Sequence, residues 1–287
     1  MTGVAIIGAG RLGTSLGRAL AKKGHPILWI ADRKPAAARE SRRIIGQGRV
    51  TSDIARAAEA GIIVLAVPDE EIERTARALA KTTAAWRGKV VLHTSGILSS
   101  AALAALRSKG AACASFHPVQ SFPRKDMPSD HFKDIVIALE GDAAALNTGK
   151  RLIRLLGARP YLLRARDKAF FHAACSMASN LFVPLFEMAR TLLRGIGIKD
   201  AEATKILLPL VAGTLQSVKH FDGADALTGP ISRGDAATVE KHLEALRRYP
   251  AALRAYQVLG AEALRLARKK GLPPGKFKAL KGLMAGE

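Results

Sequence analysis

Two groups of residues in this chain of 287 have types and spacings that could do chemistry. The first is Gly8-Ala9-Gly10-Arg11-Leu12-Gly13, directly behind the apolar run 4–7 and at the head of a helical pattern. Its glycines have separate uses: Gly8 permits a tight turn, Gly10 lets a pyrophosphate approach the backbone, and Gly13 lets helix and strand pack closely. The helix that follows presents free N–H groups and the positive end of its dipole to phosphate oxygens. That chemistry is dinucleotide binding. Asp32 stands where an acidic residue about 20 positions past the motif accepts from a ribose 2′-OH. Ala31 fits the same slot, and Arg33 and Lys34 follow at once, cations suited to a 2′-phosphate. These cations favour NADP(H), while Asp32 keeps NAD(H) open. The strand ends Ala66-Val67-Pro68-Asp69 and His93-Thr94-Ser95-Gly96 carry small side chains that leave room for the nicotinamide ribose; the plainer reading is strand-to-loop punctuation.

The second group reads Lys168-Ala-Phe-Phe-His172-Ala-Ala-Cys175-Ser176-Met-Ala-Ser179-Asn180. At about 100° per residue, Lys168, His172, Ser176 and Asn180 fall on one polar stripe of an otherwise apolar helix. Such a stripe forms the wall of a polar cavity, and Lys168 and His172, four apart, could both reach one substrate oxygen. A carbonyl or imine reductase needs a general acid at that place, and Lys or His supplies one when its pKa is tuned. Asn180 could hold the substrate. The bland alternative is a Lys168 that snorkels to water and a His172 satisfied in an interface. His117-Pro118, at the end of an apolar run, brings a further titratable group to the same strand edge, with proline stiffening the chain. In Leu227-Thr228-Gly229-Pro230-Ile231-Ser232-Arg233-Gly234-Asp235, Asp235 is a natural N-cap and Arg233 could hold a carboxylate or pair with a neighbouring acid.

These residues need a scaffold. Strand-like runs at 4–7, 27–30, 62–67, 90–92, 112–116 and 135–139 alternate with helical patterns at 11–23, 36–45, 70–80, 99–109 and 143–156, which argues a doubly wound α/β domain. The run 62–67 is apolar throughout, as in a parallel sheet covered on both faces. After residue 163 the pattern turns helical, over 166–193, 200–218, 236–247 and 250–270. The change falls at 158–166 and no long Gly/Ser linker marks it.

Composition sets the outer limits. Hydrophobic residues make up 48%, enough for a sizeable core, and two cysteines cannot build a disulfide framework. The net charge of +21 raises the question of nucleic acid. It is spread along the chain without runs of five like charges, and aromatics are only 5%. Stacking platforms are therefore scarce, and a solvated basic surface is the better reading. The uncharged stretch 169–186 holds His172, Ser176, Ser179, Asn180 and Pro184, too many polar groups for a membrane span. A buried helix at a domain or subunit interface fits it better. No basic region precedes an apolar stretch at the N-terminus, so cytoplasmic residence is expected.

Taken together, the glycine motif, His93-Thr94-Ser95-Gly96, Phe116-His117-Pro118-Val119-Gln120-Ser121-Phe122, the Lys168…His172…Asn180 helix and Leu227-Thr228-Gly229-Pro230…Arg233-Gly234-Asp235 resemble a known group. They look like the Rossmann-like proteins carrying a DUF2520 C-terminal domain, relatives of the 6-phosphogluconate dehydrogenase-like reductases. The resemblance implies a Rossmann domain over 1–160 and an all-α substrate and dimerisation domain over 161–287. It also implies a homodimer through the helical domain and, from some members, ketopantoate reduction. In ketopantoate and β-hydroxyacid reductases a catalytic Lys is followed four residues on by Asn; here His172 stands at that distance and Asn180 comes later. Prephenate dehydrogenases carry a His-Pro that His117-Pro118 resembles. The expectation is an NADPH-dependent reductase of a small anionic carbonyl or imine acid bound between the domains. Lys168, His172, Asn180 and His117 are its catalytic candidates, with no metal. The competing expectation is a non-catalytic NADP(H)-binding regulator or sensor.

Overall fold

The computed structural model describes residues 3–82 and 84–285, in two compact units, 1–179 and 180–287. The first unit is built on one eight-stranded sheet. Its strands are β1 (Val4–Ile7), β2 (Ile27–Ala31), β3 (Arg49–Thr51), β4 (Ile62–Leu65), β5 (Val90–His93), β6 (Ala112–Pro118), β7 (Val136–Gly141) and β8 (Arg159–Leu162), in the order β3-β2-β1-β4-β5-β6-β7-β8. All neighbours are parallel except β6 and β7. Its helices are α1 (Arg11–Lys22), α2 (Pro35–Ile45), α3 (Asp69–Ala80), α4 (Ala104–Arg107), α5 (Ala143–Leu155) and α6 (Lys168–Ala178).

Every residue of β1, β4 and β5 is buried, because helices cover both faces. Leu16 and Leu20 of α1 pack with Ile6, Ile30 and Leu139 on one face. Ile72 and Leu79 of α3 pack with Ile63, Leu65 and Val91 on the other. Each such side chain contributes about 1.5–3 kcal/mol by leaving water. The chain leaves β1 toward β2 on one side and returns to β4 on the other. The carboxyl ends of β1 and β4 thus flank the point where strand order reverses, the place where open α/β sheets bind ligands.

The doubly wound α/β reading is borne out, with additions. β3 has only three residues, and β8 contains Pro160, which a sheet tolerates at an edge; neither stands out in sequence. The helix expected over 166–193 is two helices, α6 and α7 (Phe182–Arg194), parted at residues 179–181. Pro184 has no N–H to offer Asn180, and Ser179 leaves helical geometry with φ −126° and ψ −69°. The expectation that 169–186 is buried fails within this chain: Phe170 and Val183, among others, are exposed.

The second unit is helical: α7, α8 (Asp200–His220), α9 (Gly223–Ala226), α10 (Pro230–Arg233), α11 (Ala236–Leu246), α12 (Pro250–Lys269) and α13 (Pro274–Ala285). Val239, Leu264, Leu272, Leu280 and Met284 form its core. Gly260 admits Met284, whose sulfur lies 2.4 Å from where a Cβ would stand. Asp235 caps α11 by accepting from the Thr238 backbone N–H at 3.1 Å, the structural role its position suggests.

Candidate active site

The glycine turn joins β1 to α1 at the switch point. Gly8 has φ +104°, and a Cβ there would lie 2.4 Å from the Ala66 carbonyl oxygen, so no other residue fits without strain. A Cβ on Gly13 would lie 2.1 Å from the Gly8 oxygen, which is the close helix–strand approach expected of it. At Gly10 a Cβ would meet nothing within 4 Å. Gly10 is also the N-cap of α1, with no side-chain cap and no acid in the first turn. The first helical bond is donated by Thr14 to Gly10, which leaves the amides of Arg11, Leu12 and Gly13 without intrahelical partners. Open space above uncapped amides fits a pyrophosphate.

Asp32, at the end of β2, is tied into this turn. Its Oδ2 accepts from Ala9 N–H at 2.8 Å and its Oδ1 from Lys34 N–H at 2.8 Å. A cavity of about 300 Å³ opens beside it. Of the residues picked out in sequence, Gly8, Gly10, Asp32, Arg33, Ala66, Val67 and Pro68 line it. Arg11 and Leu12 start α1, Lys34 precedes α2, and none of the three lines the cavity. Sequence reasoning missed Glu71 and Arg74, which line it from α3. Their signal, acids and arginines at helical spacing, is indistinguishable in sequence from an ordinary solvated helix face.

The second cluster lies at the carboxyl ends of β5 and β6. Buried His93 accepts from Ser95 N–H at Nδ1 (3.2 Å), which leaves the ring proton on Nε2, facing the Ser99 carbonyl at 3.1 Å. Burial, partly offset by that carbonyl, pushes its pKa from the ordinary 6.5 down to about 4. Ser95 Oγ accepts from the amides of Ile97 and Leu98, fixing the loop. Ser115 faces His93 across the β5–β6 pair and donates to the Ser95 carbonyl at 3.3 Å.

Lys168, first residue of α6, is 1% exposed. Its Nζ donates to Ser115 Oγ at 2.7 Å and to the Ser95 carbonyl at 3.4 Å. Burial lowers its pKa from the ordinary value, and Glu140 and Asp69 oppose that shift. One turn on, His172 meets His117, with ring centroids 5.6 Å apart in an edge-on arrangement. Both rings converge on Gly96: a Cβ there would stand 2.9 Å from Nε2 of each. Gly96 therefore packs against the histidine pair, and neither it nor Ser95 lines the cavity beside Asp32. His117 is pushed down to about 4, by burial first and then by the charges of Lys168, His172 and His93. Its Nδ1 is buried without a partner among the described residues.

Lys168, His172 and His117 are thus brought together. The amine of Lys168 does not share an outlet with His172, as the i,i+4 spacing suggested, but points inward to the strand ends. Asn180 lies beyond the end of α6, in the second unit, so helical spacing does not carry it onto the stripe. His93 stands in a strand end that the sequence singles out, and Ser115 directly before the Phe116–Phe122 segment; what no local pattern shows is their pairing with each other and with Lys168.

A Rossmann-like domain model matches residues 2–118, and a DUF2520 (domain of unknown function) model matches residues 135–263. No curated protein matches the sequence. Among solved structures, a candidate NADP oxidoreductase from Bacteroides fragilis superposes with TM-score 0.77 at 24% identity, covering 92% of this chain and 98% of its own. A reductive aminase from Aspergillus terreus, in complex with NADPH and ethyl-5-oxohexanoate, gives TM-score 0.61 at 19% identity over 100% and 93%. A pyrroline-5-carboxylate reductase from Coxiella burnetii gives 0.58 at 16% over 97% and 98%. At these identities the likeness is one of fold. By its two matched regions, the chain belongs to the proteins that join a Rossmann-like domain to a DUF2520 domain.

Proposed function

We propose that this protein is an NADP(H)-dependent oxidoreductase that reduces a small anionic carbonyl or imine compound, with 2-keto acids of the ketopantoate type as first candidates. One observation carries the reading. The glycine turn, with open space at Gly10 and uncapped α1 amides, shares a sheet edge with a cluster of buried Lys168 and Ser115 and half-buried His117 and His172. Fold neighbours that are NADPH-bound or NADP-linked reductases support it.

The nicotinamide, when bound, supplies hydride. The chain supplies the rest. The α1 amides bind the pyrophosphate, and Asp32 holds the turn through Ala9. His172 Nε2 gives a proton to the oxygen or nitrogen that gains negative charge. His117, held neutral by its burial, cannot act as an imidazolium donor near neutral pH. Lys168 is a positioning residue: it ties the ends of β5 and β6 together, and its charge favours an anionic substrate.

The test is a screen that follows NADPH absorbance with 2-keto acids, ketopantoate included, and cyclic imines. Oxidation with one of these groups supports the reading. NADPH binding without oxidation across the panel contradicts it and favours a sensor.

We also infer that a second copy covers the helical unit. Only Ala203 of α8 is buried, and Leu208, Leu210, Leu215 and Val218 all face solvent. Large apolar patches on a lone chain mark interfaces, and a cytoplasmic homodimer would bury this one.

A further inference from the structure

Glu71 stands between two arginines in the cavity beside Asp32. Its Oε1 lies 3.6 Å from Arg33 Nη1, at the end of β2, and its Oε2 pairs with Arg74 Nη2, on α3. The carboxylate is largely enclosed, with 18% of its side chain exposed, whereas the arginines are 74% and 65% exposed. All three line the same cavity, next to Asp32, whose two oxygens already accept from Ala9 and Lys34.

An i,i+3 pair on a helix surface is ordinary and contributes little. Arg33 is what makes this arrangement different. It reaches across from another element to the same carboxylate, so one anion gathers two guanidinium forks at the mouth of a nucleotide-sized cavity. Guanidinium forks match phosphate as well as carboxylate.

We propose that Glu71 is an internal anion that competes with the cofactor's 2′-phosphate for Arg33 and Arg74, and so sets how strongly the protein prefers NADP(H) over NAD(H). The proposal rests on the cofactor reading above. A phosphate entering the cavity takes both arginines from Glu71 and meets its negative charge. A ribose 2′-OH meets no such repulsion and can donate to the carboxylate. Glu71 thus moderates a preference that Arg33 and Arg74 would otherwise make steeper, and Arg74 is a second phosphate arm that sequence proximity to β2 does not reveal.

The experiment is a calorimetric titration of the full chain with adenosine 2′,5′-bisphosphate, 5′-AMP, NADPH and NADH, on wild type, Glu71→Gln and Arg74→Met. Thermal unfolding of each variant confirms folding. Glu71→Gln should tighten adenosine 2′,5′-bisphosphate and NADPH about tenfold, with 5′-AMP and NADH both unchanged or weaker. Arg74→Met should weaken the 2′-phosphorylated ligands by about the same factor and spare the others. Equal effects on both ligand classes, or none, overturn the proposal while leaving the cofactor reading intact. Wild type that binds neither NADPH nor NADH overturns both.

Discussion

Three titratable side chains meet at the end of β6, and their surroundings divide the work among them. Lys168 is enclosed on Ser115 and Ser95, burial keeps His117 neutral near pH 7, and the proposed mechanism gives proton donation to His172. His172→Asn should lower turnover by about a hundredfold or more while NADPH affinity stays within about twofold, measured by steady-state rates beside a binding titration. Lys168→Met should act differently. It removes a charge that depresses His117, so the His117 ring should titrate at higher pH, read from its proton chemical shift across a pH series. The same depression links His93 and His117 to stability. Unfolded, each takes up a proton near 6.5; folded, only near 4. Their contribution is therefore complete above about pH 6.5 and is lost as pH falls toward 4, by at most about 3 kcal/mol each. Urea unfolding at pH 7.5 and 5 should show this, and a His117→Phe variant should lose part of the difference. The residues that carry this chemistry were partly legible in sequence. Lys168, His172 and His117 stand beside recognisable helical spacing or a His-Pro step. Ser115 lies 53 residues from Lys168, and no local pattern joins them.

At the scale of elements, the turn between β1 and α1 separates fold from ligand binding. Gly8→Ala forces a Cβ onto the Ala66 carbonyl at positive φ and should lower the thermal midpoint by several degrees, a cost of about 2 kcal/mol or more. Gly10 has φ −77° and open space around its Cβ position, so Gly10→Ala should leave that midpoint nearly unchanged. The alternation of β and α elements was readable because strands buried on both faces are apolar runs, as Ile62–Leu65 is. The edges were not: β3 is too short to show a period, and β8 gains its strand geometry from pairing with β7. Nor was the break between α6 and α7, where Pro184 and Ser179 together outweigh the continuous apolar pattern.

The whole molecule carries a net charge of +21 and wide apolar exposure on α7 and α8. The charge is diffuse, and the cations that bear on the proposed function are few: Lys168 at the histidine cluster, Arg33 and Arg74 at the cavity. The apolar exposure leads to a definite expectation. Light scattering should give twice the mass of the 30.5 kDa chain at micromolar concentration, and a monomer would contradict the inferred pairing. Everything else depends on whether the glycine turn receives a dinucleotide. The direct measurement is an NADPH titration of wild type beside Gly10→Ala. The account predicts saturable binding to wild type, and binding weakened at least about tenfold in a variant that unfolds at the same temperature, because the new methyl group stands where the pyrophosphate must approach. Wild type that does not bind NADPH, or a Gly10→Ala protein that binds it equally well, would contradict it.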